Sequence, residues 1–195
     1  MILYGASGHA KVIIDILEKN KLKISTIIDD NEQLKKVLNY PIKQFKNTTI
    51  NEEIIISIGN NKTRKIISEK LKNSTFGIAI HPKSSIDKTA NMDKGTVIMA
   101  NAVVNSSANI GKHCIINTSS VIEHDCSIND FAHISPNATL CGNVTIGEGT
   151  HIGAGATVIP SIKIGKWCII GAGAVVIKDI PDNSIVVGNP ARVIN

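Results

Sequence analysis

From Ile80 to Val176 every sixth residue is aliphatic; Ile98, Ile110, Ile122, Ile134, Ile146 and Ile164 belong to this series, and its phase never slips. Four residues after each member runs a second series of mostly small side chains, among them Thr96, Ala108, Cys114, Ser120, Cys126 and Cys168. Glycine follows the aliphatic residue at 111, 147, 153, 165 and 171. A six-residue period held over about a hundred residues fits neither a helix stripe, recurring at about 3.6, nor a strand alternating at about 2. It is the mark of a hexapeptide β-helix, each hexapeptide supplying a short strand and a corner. One hexapeptide cannot bury its own aliphatic side chain, whereas stacked coils can. With three hexapeptides per coil, residues 18 apart lie over one another, and residues 80–181 make between five and six coils.

That register decides where the polar chemistry points. The stretch "SSVIEHDCSIND", residues 119–130, sets Glu123, His124 and Asp125 between the inward positions Ile122 and Cys126. His124 falls two residues after the inward aliphatic, so it should project outward at a corner with a carboxylate on either side. A solvated surface histidine is the plain alternative. Cys114, Cys126 and Cys168 occupy inward slots and no two of them are 18 apart; they read as packing residues, while Cys141, one past an inward position, stays open. His133 and His151 are 18 apart, each just before an inward aliphatic, and should stack. A zinc-binding pair is one use of such an arrangement, but no correctly placed third histidine is evident and no metal is expected. His81 and His113 carry no readable signal, and Trp167 reads as packing near the end of the helix.

Before residue 80 the pattern changes. "MILYGASGHAKVIIDILEKN" reads as a strand at Ile2–Tyr4, a glycine turn at Gly5 and Gly8, and a helix whose apolar positions Val12, Ile13, Ile16 and Leu17 keep helical spacing. "KISTIIDD" and "EEIIISIGNN" are further strands, and "NKTRKIISEKLKN" is a second helix. Alternating strands and helices imply a small parallel, Rossmann-like α/β sheet. Ligands bind such sheets at the carboxyl ends of the strands, where Gly5–His9, Asp29–Asp30 and Gly59–Asn60 fall. The acidic pair lies where a ribose-binding carboxylate would follow a glycine turn, although Gly-Ala-Ser-Gly-His is not a full GxGxxG. The chain thus divides into an α/β domain, residues 1–79, and a hexapeptide-repeat domain, residues 80–195.

Composition agrees with stacked strands: 43% of the residues are hydrophobic, only 3% aromatic, and isoleucine dominates. The apolar runs are too short to span a bilayer, no basic leader precedes the first strand, and the four cysteines show no CxxC spacing. A cytoplasmic protein with reduced thiols is expected, with no membrane or nucleic-acid partner. Residues 1–79 hold 13 Lys and Arg against 8 Asp and Glu, and residues 80–195 hold 8 against 8. The net +5 therefore belongs to the first domain. It suits an anionic ligand or simply a solvated lysine-rich surface.

Taken together, "YGASGHAKV", "IGNN", "NTSSVIEHDC" and the ending "IVVGNPARVI" resemble the bacterial sugar acyltransferases of the sialic acid O-acetyltransferase type. Within that group the chain is most similar to the UDP-4-amino-sugar N-acetyltransferases of bacillosamine-type pathways, and the resemblance spans its whole length. It implies a left-handed parallel β-helix, against the usual right-handed crossover, and a homotrimer with acetyl-CoA between neighbouring helices. It implies a UDP-linked amino sugar held by Ser7, Gly8, His9, Asp29, Asp30 and Gly59. It makes His124 the general base, supported by Asp125. It places acetyl-CoA along His133, Gly142, Ala154 and Ala172, the last two being 18 apart and so stacked. One departure stands out: the residue after the histidine, associated with Glu in the bacillosamine enzymes, is here Asp125.

The chemistry suits these residues. Acyl transfer from a thioester needs an unprotonated amine, and a histidine can take its proton during attack. A neighbouring carboxylate stabilises the imidazolium, and backbone N–H groups or a histidine can hold the oxyanion. No covalent intermediate is needed. Transfer to a sugar hydroxyl would use the same base and stays open, as does a non-catalytic sugar-nucleotide-binding solenoid.

Overall fold

The computed structural model describes residues 1–44 and 52–194. The chain opens with β1 (Ile2–Tyr4), α1 (Gly8–Lys19), β2 (Thr26–Ile28), β3 (Lys36–Val37), β4 (Tyr40–Lys43), β5 (Ile54–Ile56) and α2 (Asn61–Lys70). They form one sheet in the order β3-β4-β2-β1-β5. β1 pairs in parallel with β2 and β5, and β2 with β4; the short β3 returns antiparallel along β4. The alternating pattern anticipated β1, β2, β5 and both helices. The β3–β4 hairpin was not foreseen, because its two- and four-residue strands are too short for a period to emerge. All three residues of β1 and of β5 are buried, as expected of parallel strands covered on both faces. α1 packs Ile13, Ile14, Ile16 and Leu17 on one side of the sheet, and α2 packs Ile67 on the other.

From Ala79–Ile80 to Val175–Val176 follow seventeen two-residue strands, one per hexapeptide. Every third one pairs in parallel at an 18-residue offset, as in Ile116↔Ile134 and Ile134↔Ile152. The coil therefore has three faces. One carries the strands at 97–98, 115–116, 133–134, 151–152 and 169–170, and ends with Ile185–Val187 and Arg192–Val193. Its outward residues Ala79, Val97 and Ile115 are buried against the α/β domain in one cluster with Leu3, Ile13 and Ile16; this is the docked face. The second face turns out half-exposed Val103, Val121, Thr139, Thr157 and Val175, and the third turns out Asn91, Asn109, Ser127, Thr145 and Lys163.

Inside, Ile122, Ile134, Leu140, Ile146, Ile152 and Val158 are fully buried, with Ala108, Cys114, Cys126 and Ala138 in the small slots. The polar members of the small series stay buried because their hydroxyls are satisfied. Thr150 Oγ1 donates to the Gly165 carbonyl at 2.6 Å and accepts from Cys168 N at 3.0 Å, and Thr96 repeats the motif with Gly111 and Cys114. Glycine after the aliphatic is a matter of space: a Cβ on Gly147 would lie 2.4 Å from the Gly165 backbone in the next coil. From Gly95 to Gly173 each corner turns through a left-handed residue, such as Ser107, Asp125, Asn143 and Ser161 in one column.

This packing yields a first expectation. Ile152→Ala, at a fully buried rung, should cost about 2–5 kcal/mol, whereas Thr145→Ala, outward on the asparagine-bearing face, should stay within about 0.5 kcal/mol. Urea midpoints compare the two, and equal shifts would contradict the inward and outward assignment.

Candidate active site

Two groups of side chains stand out, on different corners. The first surrounds His124, at the corner between the valine–threonine face and the asparagine-bearing face. Ile122 and Cys126 are fully buried on either side of it, which drives the intervening residues outward; the His124 side chain is 60% exposed. Its Nδ1 lies 2.8 Å from Asp125 Oδ2. A carboxylate only accepts, so in the neutral ring Nδ1 carries the hydrogen and Nε2 keeps its lone pair. Glu123, in contrast, takes a hydrogen bond from Asn105 Nδ2 at 2.9 Å in the coil before and does not serve the histidine. One coil on, Gly142 faces the ring: a Cβ there would stand 2.6 Å from both Cε1 and Nε2 of His124. The Gly142 N–H makes no hydrogen bond among the described residues, so an N–H donor and a ring acceptor share this corner.

The second group lines an open groove of about 850 Å³ on the docked face and the corner after it. Gly59, Asn60, His133, His151, Ala154 and Ala172 contribute to it. His133 and His151 lie one above the other as anticipated, with ring centroids 4.7 Å apart and the ring planes tilted by 42°. His133 Nε2 faces Asn117 Nδ2 at 3.0 Å, and Asn117 Oδ1 accepts from Thr118 N at 2.8 Å. The amide is thereby oriented with its NH₂ toward the ring, which leaves His133 Nε2 as acceptor and its hydrogen on Nδ1. His151 Nε2 is 2.8 Å from Ser135 Oγ. Trp167, read from sequence as packing, also lines this groove. Its ring lies where a Cβ on Gly149 would be 2.4 Å away, with Lys65 Nζ 5.5 Å from the ring centre.

Several of these histidines are held neutral. Burial, then the charge of Arg64, lowers His9 to about 4, and the same two causes lower His113 to about 4. Burial lowers His133 to about 3, with His151, Arg64 and His9 adding to the effect. His151 is lowered by burial and Arg64. Buried Nε2 of His9 and Nδ1 of His133 have no well-formed hydrogen bond.

In the α/β domain Ser7 is the extended N-cap of α1 with no side-chain capping bond, and nothing lies within 4 Å of a Cβ built on Gly8 or Gly59. The acidic pair is more engaged than its sequence position suggested. Asp29 accepts from Ala6 N at 2.7 Å and Asn31 N at 2.8 Å, which ties the glycine turn to the end of β2. Asp30 accepts from the Tyr4 hydroxyl at 2.7 Å and pairs with Lys70 at 3.2 Å. The structure thus gathers Gly59, His133, Ala154 and Ala172 into one groove with His9 electrostatically coupled to it, while His124, Asp125 and Gly142 sit one whole face away. Among the described residues no group of three or more His, Cys, Asp or Glu side chains is arranged to hold a metal ion, and no helix is long and apolar enough to cross a membrane.

Comparison with known proteins gives this geometry a family. Residues 1–71 match the PglD N-terminal domain, and residues 125–160 and 143–178 match the bacterial transferase hexapeptide repeats. Perosamine N-acetyltransferase from Caulobacter crescentus, solved with CoA and GDP-perosamine, is 30% identical over 100% of this chain and 96% of its own, with a TM-score of 0.94. The acetyltransferase domain of PglB from Neisseria gonorrhoeae, solved with acetyl coenzyme A, is 32% identical over 99% and 98%, with a TM-score of 0.92. WeeI from Acinetobacter baumannii is 29% identical over 99% and 98%, with a TM-score of 0.91. The chain belongs to the hexapeptide-repeat sugar N-acetyltransferases, acetyl-CoA-dependent enzymes built on a left-handed parallel β-helix.

The neutral histidines carry a pH consequence. In the unfolded chain they regain a pKa near 6.5, against about 4 for His9 and His113 in the fold. The unfolded state therefore binds more protons between those values, and stability, complete above about pH 7, falls as the pH drops through about 6.5 toward 4. Urea midpoints should decline over that interval, and His113→Phe, placed between Phe76 and Phe131 at ring distances of 4.5 and 5.2 Å, should flatten the decline. A parent midpoint independent of pH there would contradict the burial of neutral rings.

Proposed function

We propose that the chain transfers the acetyl group of acetyl-CoA directly to the amino group of a nucleotide-linked amino sugar, in sites shared between copies of a homotrimer. The observation that carries this reading is the separation of the two groups. His124, Asp125 and Gly142 lie across the valine–threonine face from the groove of His133, Ala154 and Ala172, so one copy holds each half but not a whole site. A neighbouring copy packed on that face would bring its His124 corner to the groove. The half-exposed Val103, Val121, Thr139, Thr157 and Val175 suit such a contact, being flat and β-branched.

In this reading acetyl-CoA lies along Ala154 and Ala172, with His133 and Gly142 near the thioester. The nucleotide sugar is held at Ser7, Gly8, His9 and Gly59. Asp29 and Asp30 act there chiefly by shaping the loops that end β1 and β2. The resemblance suggests UDP as the nucleotide, while the Caulobacter relative was solved with GDP-perosamine. The 4-amino group attacks the thioester carbonyl as His124 Nε2 takes its proton; Asp125 stabilises the imidazolium. The unengaged Gly142 N–H, on the rung that faces the His124 ring, is the donor offered to the tetrahedral oxyanion. The intermediate collapses to the amide, and the departing thiolate takes the proton from His124, which restores the base. The N-acetyltransferases among the relatives favour an amine over a hydroxyl acceptor. A binding solenoid has no need for a cleared space over an exposed histidine.

His124→Ala should lower turnover by roughly 10²–10⁴-fold while leaving the fold intact, and Asp125→Asn should cost less. Ala172→Trp should fill the donor groove and also abolish activity. Unfolded and refolded together in equal amounts, the two inactive variants should regain activity, since about a quarter of the interfaces would pair two intact halves in a cyclic assembly. Assays against UDP-, GDP- and dTDP-linked 4-amino sugars identify the acceptor. No recovery on mixing, with both variants folded and assembled, would rule out the shared site.

A further inference from the structure

The left-handed corner residues His113, Phe131 and Gly149 form a column one coil apart, and their carbonyls take no part in the ladder of backbone hydrogen bonds between coils. The α/β domain takes up all three. Arg64, on α2, donates Nε to His113 O at 2.8 Å and Nη2 to Phe131 O at 2.8 Å. Asn61 donates Nδ2 to Gly149 O at 3.0 Å while its Oδ1 accepts from Arg64 Nη2 at 2.8 Å. The remaining arm of the guanidinium, Nη1, donates to Ile58 O at 3.0 Å and Gly59 O at 3.1 Å, within the loop that joins β5 to α2. Arg64 is 1% exposed and forms no salt bridge among the described residues. Burying a cation with no counter-charge is costly, and apolar residues would seal an interface at less expense. The fork reads two rungs and Asn61, held against it, reads a third, which fixes the register of α2 along the helix.

We infer that Arg64, with Asn61, is a positioning residue that locks the Gly59 loop, and with it the nucleotide-sugar half of the site, at the rungs where His133 and His151 open the acetyl-donor groove. This rests on the reading of the two half-sites given above. Each rung of the docked column precedes its strand by two residues, so Phe131 and Gly149 lead directly to His133 and His151. A slip of α2 by one rung would carry Gly59 off them by a full coil. A guanidinium presents five N–H donors around one planar group, so it can bond the rungs on one side and the Ile58–Gly59 carbonyls on the other.

The test uses Arg64→Met, close in volume, and Arg64→Lys, which keeps the charge but not the fork. Both are made in the full chain and compared by hydrogen exchange and by steady-state kinetics with acetyl-CoA and the best acceptor of the parent. Loss of charged hydrogen bonds of this kind amounts to roughly tenfold or more in an equilibrium. Exchange at residues 57–61 should therefore rise by about that factor or more in both variants, with the strands at 115–116 and 133–134 unchanged. KM for the nucleotide sugar should rise by a similar factor, with KM for acetyl-CoA within about twofold, and lysine should not rescue. Parent-like exchange and KM in Arg64→Met, or full rescue by lysine, would overturn the assignment. So would an equal rise in both KM values, which marks a general structural role. Should Arg64→Met not fold, Asn61→Ala, which removes the Gly149 contact and one acceptor of Arg64 but leaves the Arg64 bonds to His113 and Phe131, is read by the same criteria. A parent without acetyl transfer would sink the functional reading instead, and the exchange arm would still judge the clamp.

Discussion

Parallel stacking at an 18-residue offset is the constraint from which the rest of the molecule follows. Once coils repeat at a fixed offset, a position in the sequence becomes a column in space, and each column repeats one chemical environment. Aliphatic residues must stay in phase because a slip by one position would turn the whole inward set to solvent. The functional groups inherit that discipline. Gly142 stands over His124 because it is 18 residues later, and the cleared space exists because that rung carries no Cβ. Ala154 and Ala172 continue a smooth groove floor for the same reason. The α/β domain, lacking any such repeat, takes its position from the helix by gripping the carbonyls that the ladder leaves over.

The two halves of the site differ in how they manage charge. At the His124 corner the ring is exposed and hydrogen-bonded to a carboxylate. In the groove the rings of His133 and His151 are withdrawn from water and sit near the buried Arg64, so they stay neutral. Neutral imidazoles offer one donor and one acceptor in fixed places, which suits recognition of a polar substrate rather than proton transfer. Placing the exposed histidine and the buried ones on different corners lets one fold provide both environments.

Much of this was legible before any coordinates. The six-residue period specified the solenoid, the outward direction of His124, the inward cysteines and the stacking of His133 on His151, because each depends only on counting. What escaped was contact between parts that the period does not relate. Arg64 and Asn61 lie in a polar helix whose sequence, "NKTRKIISEK", resembles any solvated amphipathic segment, and nothing local marks Arg64 as buried. Trp167 packs over Gly149 as read, and that it also lines the groove escaped for a related reason: its column with His113, Phe131 and Gly149 could be counted, but which column meets the α/β domain could not. Asp29 and Asp30 were placed correctly at the strand ends, yet their engagement with Ala6, Asn31, Tyr4 and Lys70 depends on loop geometry that residue types alone do not fix.

The aspartate at position 125 follows from the same corner geometry. Its backbone sits at φ 62°, in the left-handed region shared by Ser107, Asn143 and Ser161 of its column. Short polar residues, Asn and Asp above all, occupy that region most readily, because their side chains can hydrogen-bond locally. A glutamate has no such local support there. From that backbone position the short Asp125 side chain holds its carboxylate 2.8 Å from Nδ1 of His124. Asp125 thus orients the ring of His124, and the coil that supplies the corner also sets which ring nitrogen carries the hydrogen.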